Sequence, residues 1–124
     1  MLDMPTVLVV EDDPDMRHLQ QTMFECSGFE VHVAANGLDA LKTLYQLRPC
    51  VIVLDLMMPV MDGLKFLSER QQRPAVADVP VVCVSAAGPE MMSEALRLGA
   101  QQCVEKPTDL DLLCEIVRRH CDAD

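Results

Sequence analysis

Five short strand-like runs recur along this 124-residue chain, and longer segments with helical periodicity separate them. A run that is apolar at every position, such as residues 51–54, predicts a strand buried on both faces of a parallel sheet. We place the strands near residues 6–10, 30–34, 51–55, 80–84 and 102–105. Because strands and helical segments alternate strictly, we expect a doubly wound α/β domain.

Helix signals fill the segments between the strands. Asp13 before Pro14, Asn36 and Thr108 are predicted caps of the first, second and fifth helices. The predicted helices run from Pro14 to about Cys26, from Asn36 to before Pro49, from Asp62-Gly63 through Leu67, from Pro89 to about Leu98, and from about Thr108-Asp109 onward. Five strands and five helices most simply give the flavodoxin-like sheet order 2-1-3-4-5.

Helical spacing also predicts which side chains face the sheet. The expected inward residues are Met16, Leu19 and Met23 in the first helix, Leu38, Leu41, Leu44 and Tyr45 in the second, and Leu110, Leu113, Ile116 and Val117 in the fifth. A core of this size suits one domain, which we place at residues 4–121.

Charge and cysteine content restrict the function classes. The net charge of −10, from 20 acidic and 10 basic residues, would repel a phosphate backbone, so no direct nucleic-acid binding is expected. The cysteines show no metal-ligand spacing, and we expect them to be small core residues or free thiols in a reducing cytosol. They are Cys26, Cys50, Cys83, Cys103, Cys114 and Cys121. With neither a signal-peptide pattern nor a membrane-length apolar run, a cytoplasmic location without membrane contact is expected.

Acidic side chains follow two of the predicted strands. Glu11, Asp12 and Asp13 come directly after the first strand, and Asp55 closes the third. The carboxyl ends of parallel strands share one edge of the sheet, where open α/β sheets bind their ligands. Carboxylates gathered there repel one another unless a cation lies among them, and Mg²⁺ prefers a few such oxygens with retained waters. The pattern therefore predicts a divalent metal site.

A nucleotide or flavin site is the competing interpretation of such a sheet. Phosphate-binding loops after the first strand use glycine, so that bare backbone N–H groups can approach the anion. Here the loop reads Glu11-Asp12-Asp13-Pro14, with three carboxylates and no glycine. These charges would expel a phosphate unless a metal bridged the two, so a flavodoxin-type site is disfavoured.

Two further predicted strands end in a hydroxyl and an amine, from Ser85 and from Lys106-Pro107. With the acidic residues, they make the chain resemble the receiver domain of two-component response regulators from about residue 6 to residue 120. The resemblance rests on Glu11-Asp12, Asp55, Met58-Pro59, Asp62-Gly63, Ser85 and Lys106-Pro107, in that order and spacing.

The resemblance implies a phosphoacceptor and a metal site. Asp55 would accept a phosphoryl group from a histidine kinase or phosphotransfer protein carrying phosphohistidine. Mg²⁺ would be held by Asp12, Asp55 and the backbone carbonyl of Met57, with Glu11 acting through water. Such a domain is not an enzyme in the usual sense, because it catalyses only its own phosphorylation and dephosphorylation.

The resemblance also implies the residues that hold the phosphoryl group. The Ser85 hydroxyl would bond it and the Lys106 ammonium would pair with it, because phosphoryl transfer depends on neutralising the oxygens of the transferred group. A cis Lys106-Pro107 bond, which the family commonly uses to aim the lysine, is a further hypothesis.

Two residues depart from the family pattern. Cys103 stands where receivers usually carry Tyr or Phe, and Thr108 where Phe often follows Lys-Pro. A small thiol cannot replace a ring that turns inward on phosphorylation. We therefore expect output through the loop of residues 86–89 and the fourth helix, where Met91 and Met92 provide either an adaptable surface or core packing.

The favoured hypothesis is a receiver that signals through an unknown protein partner or output domain. A homodimer formed through the fourth helix, fifth strand and fifth helix is a further hypothesis. The alternative is an interaction module that binds metal but no longer switches, which Cys103 favours. A Mg²⁺-dependent phosphohydrolase is disfavoured, because Met57 stands where an acid/base is wanted. The first strand begins within six residues of Met1, which favours a stand-alone or N-terminal receiver over the tail of a hybrid kinase.

The lifetime of the phosphorylated form is expected to depend on Met57 and Ala87. They lie two residues beyond Asp55 and Ser85, and the resemblance implies that they flank the path of the attacking water. A thioether and a methyl group cannot orient that water, so we expect slow hydrolysis.

Overall fold

A computed structural model describes residues 4–122, in which strands and helices alternate as predicted. The strands are β1 Thr6–Val10, β2 Glu30–Ala34, β3 Val51–Leu54, β4 Val81–Ser85 and β5 Gln102–Glu105. The helices are α1 Pro14–Cys26, α2 Gly37–Thr43, α3 Gly63–Gln71, α4 Pro89–Arg97 and α5 Leu110–Asp122. All neighbouring strands pair in parallel in the order β2-β1-β3-β4-β5, which confirms the predicted flavodoxin-like topology.

The pleat of the central strands divides the core into two layers. Even-numbered residues of β1 and β3 pack with α2, α3 and α4, whereas odd-numbered residues pack with α1 and α5. Successive side chains of a strand point to opposite faces, so both faces of these strands are covered. Every residue of β3 and β4 is buried, which explains why both strands are nearly continuous apolar runs in the sequence.

Side-chain caps begin four of the helices, and in α3 the cap is Asp62, whose Oδ1 accepts the Lys65 N–H at 2.9 Å. Asp13 Oδ1 accepts the N–H two residues on in α1, and Asn36 Oδ1 accepts the N–H three residues on in α2, as predicted. The cap of α5 is Asp109, whose Oδ1 accepts N–H groups two and three residues on. The prediction that Thr108 caps α5 was wrong, because the Thr108 hydroxyl donates to the Glu105 carbonyl.

The predicted inward face of α1 was wrong at Leu19. Gln20 and Phe24 are the buried residues of this helix, whereas Leu19 is 46% exposed. Met16 and Met23 are half-buried, and Met23 packs against the core layer on this side of the sheet, as predicted. The rings of Phe24 and Phe29 pack edge to face with their centroids 6.0 Å apart. This large aromatic pair sets which side of α1 faces the sheet.

The predicted apolar stripe of α2 was wrong at both ends, and the helix stops at Thr43 rather than shortly before Pro49. Leu41 and Leu44 are buried as predicted, but Leu38 and Tyr45 are exposed. Tyr45 lies beyond the helix and no longer follows its period; its ring lies 4.2 Å from the Arg73 guanidinium carbon. In α5, by contrast, Leu113, Ile116 and Val117 are buried as predicted, and Leu110 is half-buried.

Helix α3 continues four residues beyond its predicted end at Leu67. Arg70 stabilises the added turn of the helix. This arginine is only 2% exposed and donates to the carbonyls of Val76, Ala77 and Val79. A buried guanidinium that is hydrogen-bonded to carbonyls ties the segment after α3 to the core. Helix α4 ends at Arg97, one residue before the predicted end.

The expectation that the cysteines are unpaired was wrong for two of them. Cys50 and Cys121 form a disulfide between the residue before β3 and the last turn of α5. The other four are free thiols: Cys83 is buried, Cys103 and Cys114 are half-buried, and Cys26 is exposed. Within residues 4–122, no helix has the length and apolar character needed to cross a bilayer.

Candidate functional site

Four strands deliver polar side chains to the same edge of the sheet, which we call the carboxyl edge. Glu11 and Asp12 follow β1, Asp55 follows β3, Ser85 ends β4, and Lys106 follows β5. Strands β1 and β3 are neighbours at the centre of the sheet, with β4 and β5 beside them. The topology therefore brings together groups that are far apart in the sequence.

Three carboxylates form a compact acidic cluster at this edge. Ligand oxygens of Glu11, Asp12 and Asp55 all lie within 4.8 Å of one another. Glu11 is 2% exposed and Asp55 is 7% exposed, whereas Asp12 is open to solvent on one side. Hard oxygen donors at this spacing, with one open side for water, fit a small divalent cation such as Mg²⁺.

Lys106 contacts two of these carboxylates. Its Nζ lies 2.7 Å from Glu11 Oε1 and 3.4 Å from Asp55 Oδ2. Burial raises the pKa of Glu11 to about 7 despite the Lys106 hydrogen bond, and the Asp55 charge acts in the same direction as burial. Burial alone would lower the pKa of Lys106, but the Glu11 hydrogen bond and the Asp55 charge outweigh it and raise that pKa. The Lys106-Pro107 bond is cis, as hypothesised.

Backbone contacts orient the loop between β1 and α1. The Asp13 N–H donates to Glu11 Oε2 at 3.2 Å. Arg17 Nη1 donates to the carbonyls of Glu11, at 3.0 Å, and Asp12, at 3.4 Å. The sequence analysis did not identify Arg17. The signal that could have indicated it is a basic residue one turn into the helix that follows the acidic loop. Its guanidinium holds the backbone of both acidic residues from the first turns of α1.

The loop between β3 and α3 is held at both ends. The Met57 N–H donates to Asp55 Oδ1 at 3.1 Å, and the Gly63 N–H donates to the Leu56 carbonyl at 3.0 Å. A Cβ on Gly63 would lie 2.6 Å from Leu56 Cα and 2.8 Å from the Asp55 carbonyl oxygen. Only glycine permits this approach, so the start of α3 lies directly against the backbone of the phosphoacceptor candidate.

Val60 is the strained residue of the same loop. Its φ is 69°, and the Met61 N–H donates to the Pro59 carbonyl at 2.8 Å across it. An i to i+2 hydrogen bond around a left-handed residue is a tight γ-turn, which is unfavourable for a β-branched side chain. The Met61 carbonyl accepts the Gly37 N–H at 3.0 Å, so the start of α2 fixes the far side of the turn.

Ser85 is fully buried where β4 ends. Its Oγ accepts the Ala87 N–H at 3.2 Å, and its carbonyl accepts the Lys106 N–H at 3.1 Å. The hydroxyl can still donate one hydrogen bond. The backbone bond to Lys106 extends the pairing of β4 with β5, so the serine and the lysine are fixed relative to each other.

Cys103 lies opposite Cys83 in the pairing of β5 with β4 and is half-buried. Its thiol donates to the Met92 carbonyl at 3.6 Å. Met92 is buried and Met91 is partly buried against the same core layer, so both methionines contribute core packing. The residue that departs from the family pattern thus contacts α4 directly.

The structure brings Glu11, Asp12, Asp55 and Lys106 together as one cluster. It places Ser85 at the next strand end and the Met57 backbone against Asp55. The Met57 side chain is 57% exposed and lines an open groove with Met58, Pro59 and Met91, among others.

Comparison with known proteins agrees with this geometry. The sequence profile of the family described as "Response regulator receiver domain" matches residues 7–118. Regulatory protein AtoC of Escherichia coli strain K12 is 42% identical over 114 residues, which are 91% of this chain and 24% of AtoC. The chain thus spans about a quarter of the length of that relative.

Two further matches extend over nearly their whole length. Sporulation initiation phosphotransferase F of Bacillus subtilis strain 168 is 31% identical over 115 residues, which are 92% of this chain and 91% of that protein. The receiver domain of the Francisella response regulator 1452 superposes with a TM-score of 0.87 at 32% identity, covering 94% of this chain and 96% of that one. The family profile, the sequence relatives and the shared fold together show that this chain belongs to the response regulator receiver domain family.

Proposed function

We propose that this receiver, residues 4–121, accepts a phosphoryl group on Asp55 from the phosphohistidine of a histidine kinase or phosphotransfer protein. The observation that carries the proposal is the contact of Lys106 with Asp55 inside a cluster of three carboxylates. A cation beside a buried carboxylate is the arrangement needed to neutralise phosphoryl oxygens during transfer. A chain that acts in this way is a cytoplasmic phosphoprotein and signals through a protein partner or output domain.

The acidic cluster supports Mg²⁺ as the cofactor. The donors would be the carboxylates of Asp12 and Asp55 and the backbone carbonyl of Met57, with Glu11 acting through a water. When bound, Mg²⁺ would supply positive charge to the oxygens of the transferred phosphoryl group. Arg17 supports the site by holding the backbone of Glu11 and Asp12. Asp12→Ala should therefore weaken Mg²⁺ binding strongly in a direct titration, and unchanged affinity would rule out this ligand set.

The residues of the chain have separate tasks in the transfer. An Asp55 carboxylate oxygen attacks the phosphorus in line, while the bond to the donor histidine nitrogen breaks. The Met57 N–H holds Asp55 Oδ1, which fixes the orientation of the carboxylate. The Lys106 ammonium and the Ser85 hydroxyl then bond the phosphoryl oxygens on the product. The product is an acyl phosphate, which suits a transient signal because it hydrolyses readily.

Phosphorylation should be transmitted through the loop of residues 86–89 and α4. Ser85 Oγ is bonded to the Ala87 N–H, so a movement of the hydroxyl toward a phosphoryl group pulls on this loop. Gly88, at the cap of α4 with φ of 92°, provides a hinge. We infer that the face formed by α4, β5 and α5 is presented to the partner, or to a second copy in a homodimer.

A module that binds metal without switching is the second candidate, and one observation favours it. The Cys103 thiol bonds the Met92 carbonyl, which couples β5 to α4 without an aromatic ring. Amide hydrogen exchange with and without a phosphoryl mimic separates the two functions. Changes in residues 86–97 support the switch, whereas exchange unchanged throughout the domain supports the non-switching module.

The direct test of acceptance uses intact-mass spectrometry. The chain is incubated with a small phosphodonor in Mg²⁺, and we expect one added phosphoryl group. Chelating the metal before the donor is added should prevent this labelling. Asp55→Asn should remain unlabelled. Because Asn is nearly isosteric with Asp, a folded Asp55→Asn protein that is labelled as well as the parent would disprove the acceptor assignment.

A further inference from the structure

The Cys50–Cys121 disulfide covalently joins two residues that are 71 positions apart in the sequence. Cys50 precedes β3 at the end opposite the carboxyl edge, because Asp55 follows the other end of the strand. Cys121 lies in the last turn of α5. The bond therefore attaches the end of α5 to the strand that leads to Asp55, but away from the acidic cluster.

Other contacts hold both elements in place near this bond. The Cys50 N–H donates to the Thr6 carbonyl at 2.8 Å, which extends the pairing of β3 with β1. Helix α5 buries Leu113, Ile116 and Val117 against the sheet. The strand and most of the helix are thus anchored by packing and backbone hydrogen bonds, so we expect the domain to remain folded when the disulfide is reduced.

The last turn of α5 has weaker anchors. The Arg118 guanidinium donates to the Ser27 carbonyl at 2.7 Å and lies over the Phe29 ring at 5.1 Å. Beyond it, Arg119 pairs with Glu115 on the same helix. Within the chain up to residue 122, the side chains of 119–122 make no hydrogen bond or ion pair outside α5, so the disulfide is the strong link of this turn to the sheet.

The two bonded cysteines are half-buried, which leaves the disulfide open to a small thiolate. The free pair formed by Cys83 and Cys103 is different, because it lies within the β4–β5 pairing under α4. Burial raises the pKa of Cys83 and suppresses its reactive thiolate. The chain therefore separates a half-buried disulfide from the fully buried thiol of Cys83.

We propose that Cys50–Cys121 is a reversible thiol–disulfide modification site whose reactant is a small thiol of the glutathione class. In the oxidised form the bond docks the last turn of α5 on β3. In the reduced form that turn is released, while the carboxyl edge keeps its geometry. This site gives the end of α5 an input that is independent of phosphorylation at Asp55.

The exchange proceeds in two balanced steps. A thiolate of the reactant attacks one cysteine sulfur, the bond between the cysteines breaks, and the other cysteine leaves as a thiolate that takes a proton from water. A second reactant thiolate then attacks the mixed disulfide and releases the first cysteine. The two reactant thiols supply the two electrons and end as one disulfide, and excess of that disulfide drives the sequence in reverse.

The test combines thiol mapping with amide exchange on the full chain. The protein is equilibrated in buffers of varied reduced-to-oxidised glutathione ratio, quenched in acid, alkylated and mapped by mass spectrometry. We expect Cys50 and Cys121 to become alkylated together as the ratio rises and to be protected again when it falls. Over the same range, the peptide at the end of α5 should lose exchange protection, whereas peptides from β1, β3 and β4 should keep theirs.

Two variants make the result specific. Cys121→Ser should show the exchange of the reduced protein in every buffer, and Cys26→Ser, which removes an exposed thiol outside the disulfide, should behave as the parent does. Three results would overturn the proposal. They are alkylation of both cysteines in folded protein under oxidising conditions, a disulfide that resists every glutathione ratio, and reduction that either unfolds the whole domain or leaves exchange at the end of α5 unchanged.

Discussion

The Lys106 ammonium lies 2.7 Å from the carboxylate of Glu11, although the two residues are 95 positions apart. The contact joins the end of β5 to the end of β1 across the carboxyl edge. Glu11 is almost fully buried, so its carboxylate depends on this partner for compensation of the lost solvent. The same ammonium reaches Asp55, which links the stability of the domain to its proposed chemistry.

Replacing Lys106 with Ala should lower the free energy of unfolding by about 1–3 kcal/mol, because the buried Glu11 carboxyl loses its cationic hydrogen-bond partner and its pKa, already raised by burial, rises further. Urea unfolding at neutral pH measures the loss. Lys106→Ala combined with Glu11→Gln should lose less than Lys106→Ala alone, and Lys42→Ala, at an exposed position of α2, should change little. Phosphorylation of Lys106→Ala should remain possible with a blunted conformational response. If the Lys106→Ala protein is as stable as the parent, the ion pair does not stabilise the fold.

Replacing Gly63 with Ala should weaken Mg²⁺ binding about tenfold or more, as the loss of residues that support a metal ligand commonly does. The added methyl group would collide with Leu56 and with the Asp55 carbonyl, and backbone must move to relieve the contact. Gly28→Ala is the matched control, because its methyl group meets open space and only its left-handed φ of 95° is costly. It should lose stability without losing metal affinity. Equal affinities for Gly63→Ala and the parent would show that this contact does not position Asp55.

Replacing Val60 with Gly should raise the free energy of unfolding by about 1 kcal/mol, because it relieves a left-handed backbone conformation. The left-handed strain of a β-branched residue exceeds the entropy that glycine adds to the unfolded chain. The Val60 side chain is 77% exposed, so little packing is lost. Val60→Ala keeps a Cβ in the same backbone conformation and should gain less. A Val60→Gly protein that is less stable than Val60→Ala would mean that the γ-turn carries little strain.

The phosphorylated form should decay slowly, because neither Met57 nor Ala87 can orient an attacking water. The double variant Met57→Asn with Ala87→Glu should decay roughly tenfold faster or more, since a positioned proton-transfer group contributes about 10²–10⁴-fold and a group that only orients water contributes less. The decay rate in Mg²⁺ after removal of the donor measures the effect, with Tyr45→Asn as a control far from the site. Decay of the double variant at the rate of the parent would show that these positions do not set the lifetime.

The carboxyl edge could be predicted from the sequence because buried parallel strands are recognisable and their ends must meet at one edge. Glu11, Asp12, Asp55 and Lys106 follow from strand order alone, without any side-chain detail. Helix faces were harder: in α1 the Phe24–Phe29 pair decides the inward side, and that pair involves a residue outside the helix.

The remaining features depend on contacts that leave no local pattern. The partner of Cys50 lies 71 residues away, and neither cysteine stands in a motif that indicates pairing. Arg70 is buried because carbonyls after α3 surround its guanidinium, whereas a charged residue ordinarily predicts an exposed position. The strain at Val60 depends on the contacts that Gly37 and Gly63 make on either side of the turn, so it appears only in three dimensions.

We propose Asp55 as the residue that receives the phosphoryl group. The most direct test of this assignment is to treat the phosphorylated protein with borohydride, which reduces an aspartyl phosphate to homoserine, and to sequence the peptides by tandem mass spectrometry. We predict homoserine at position 55 and aspartate unchanged at positions 12 and 13. Homoserine at either of those positions, with Asp55 intact, would contradict the assignment.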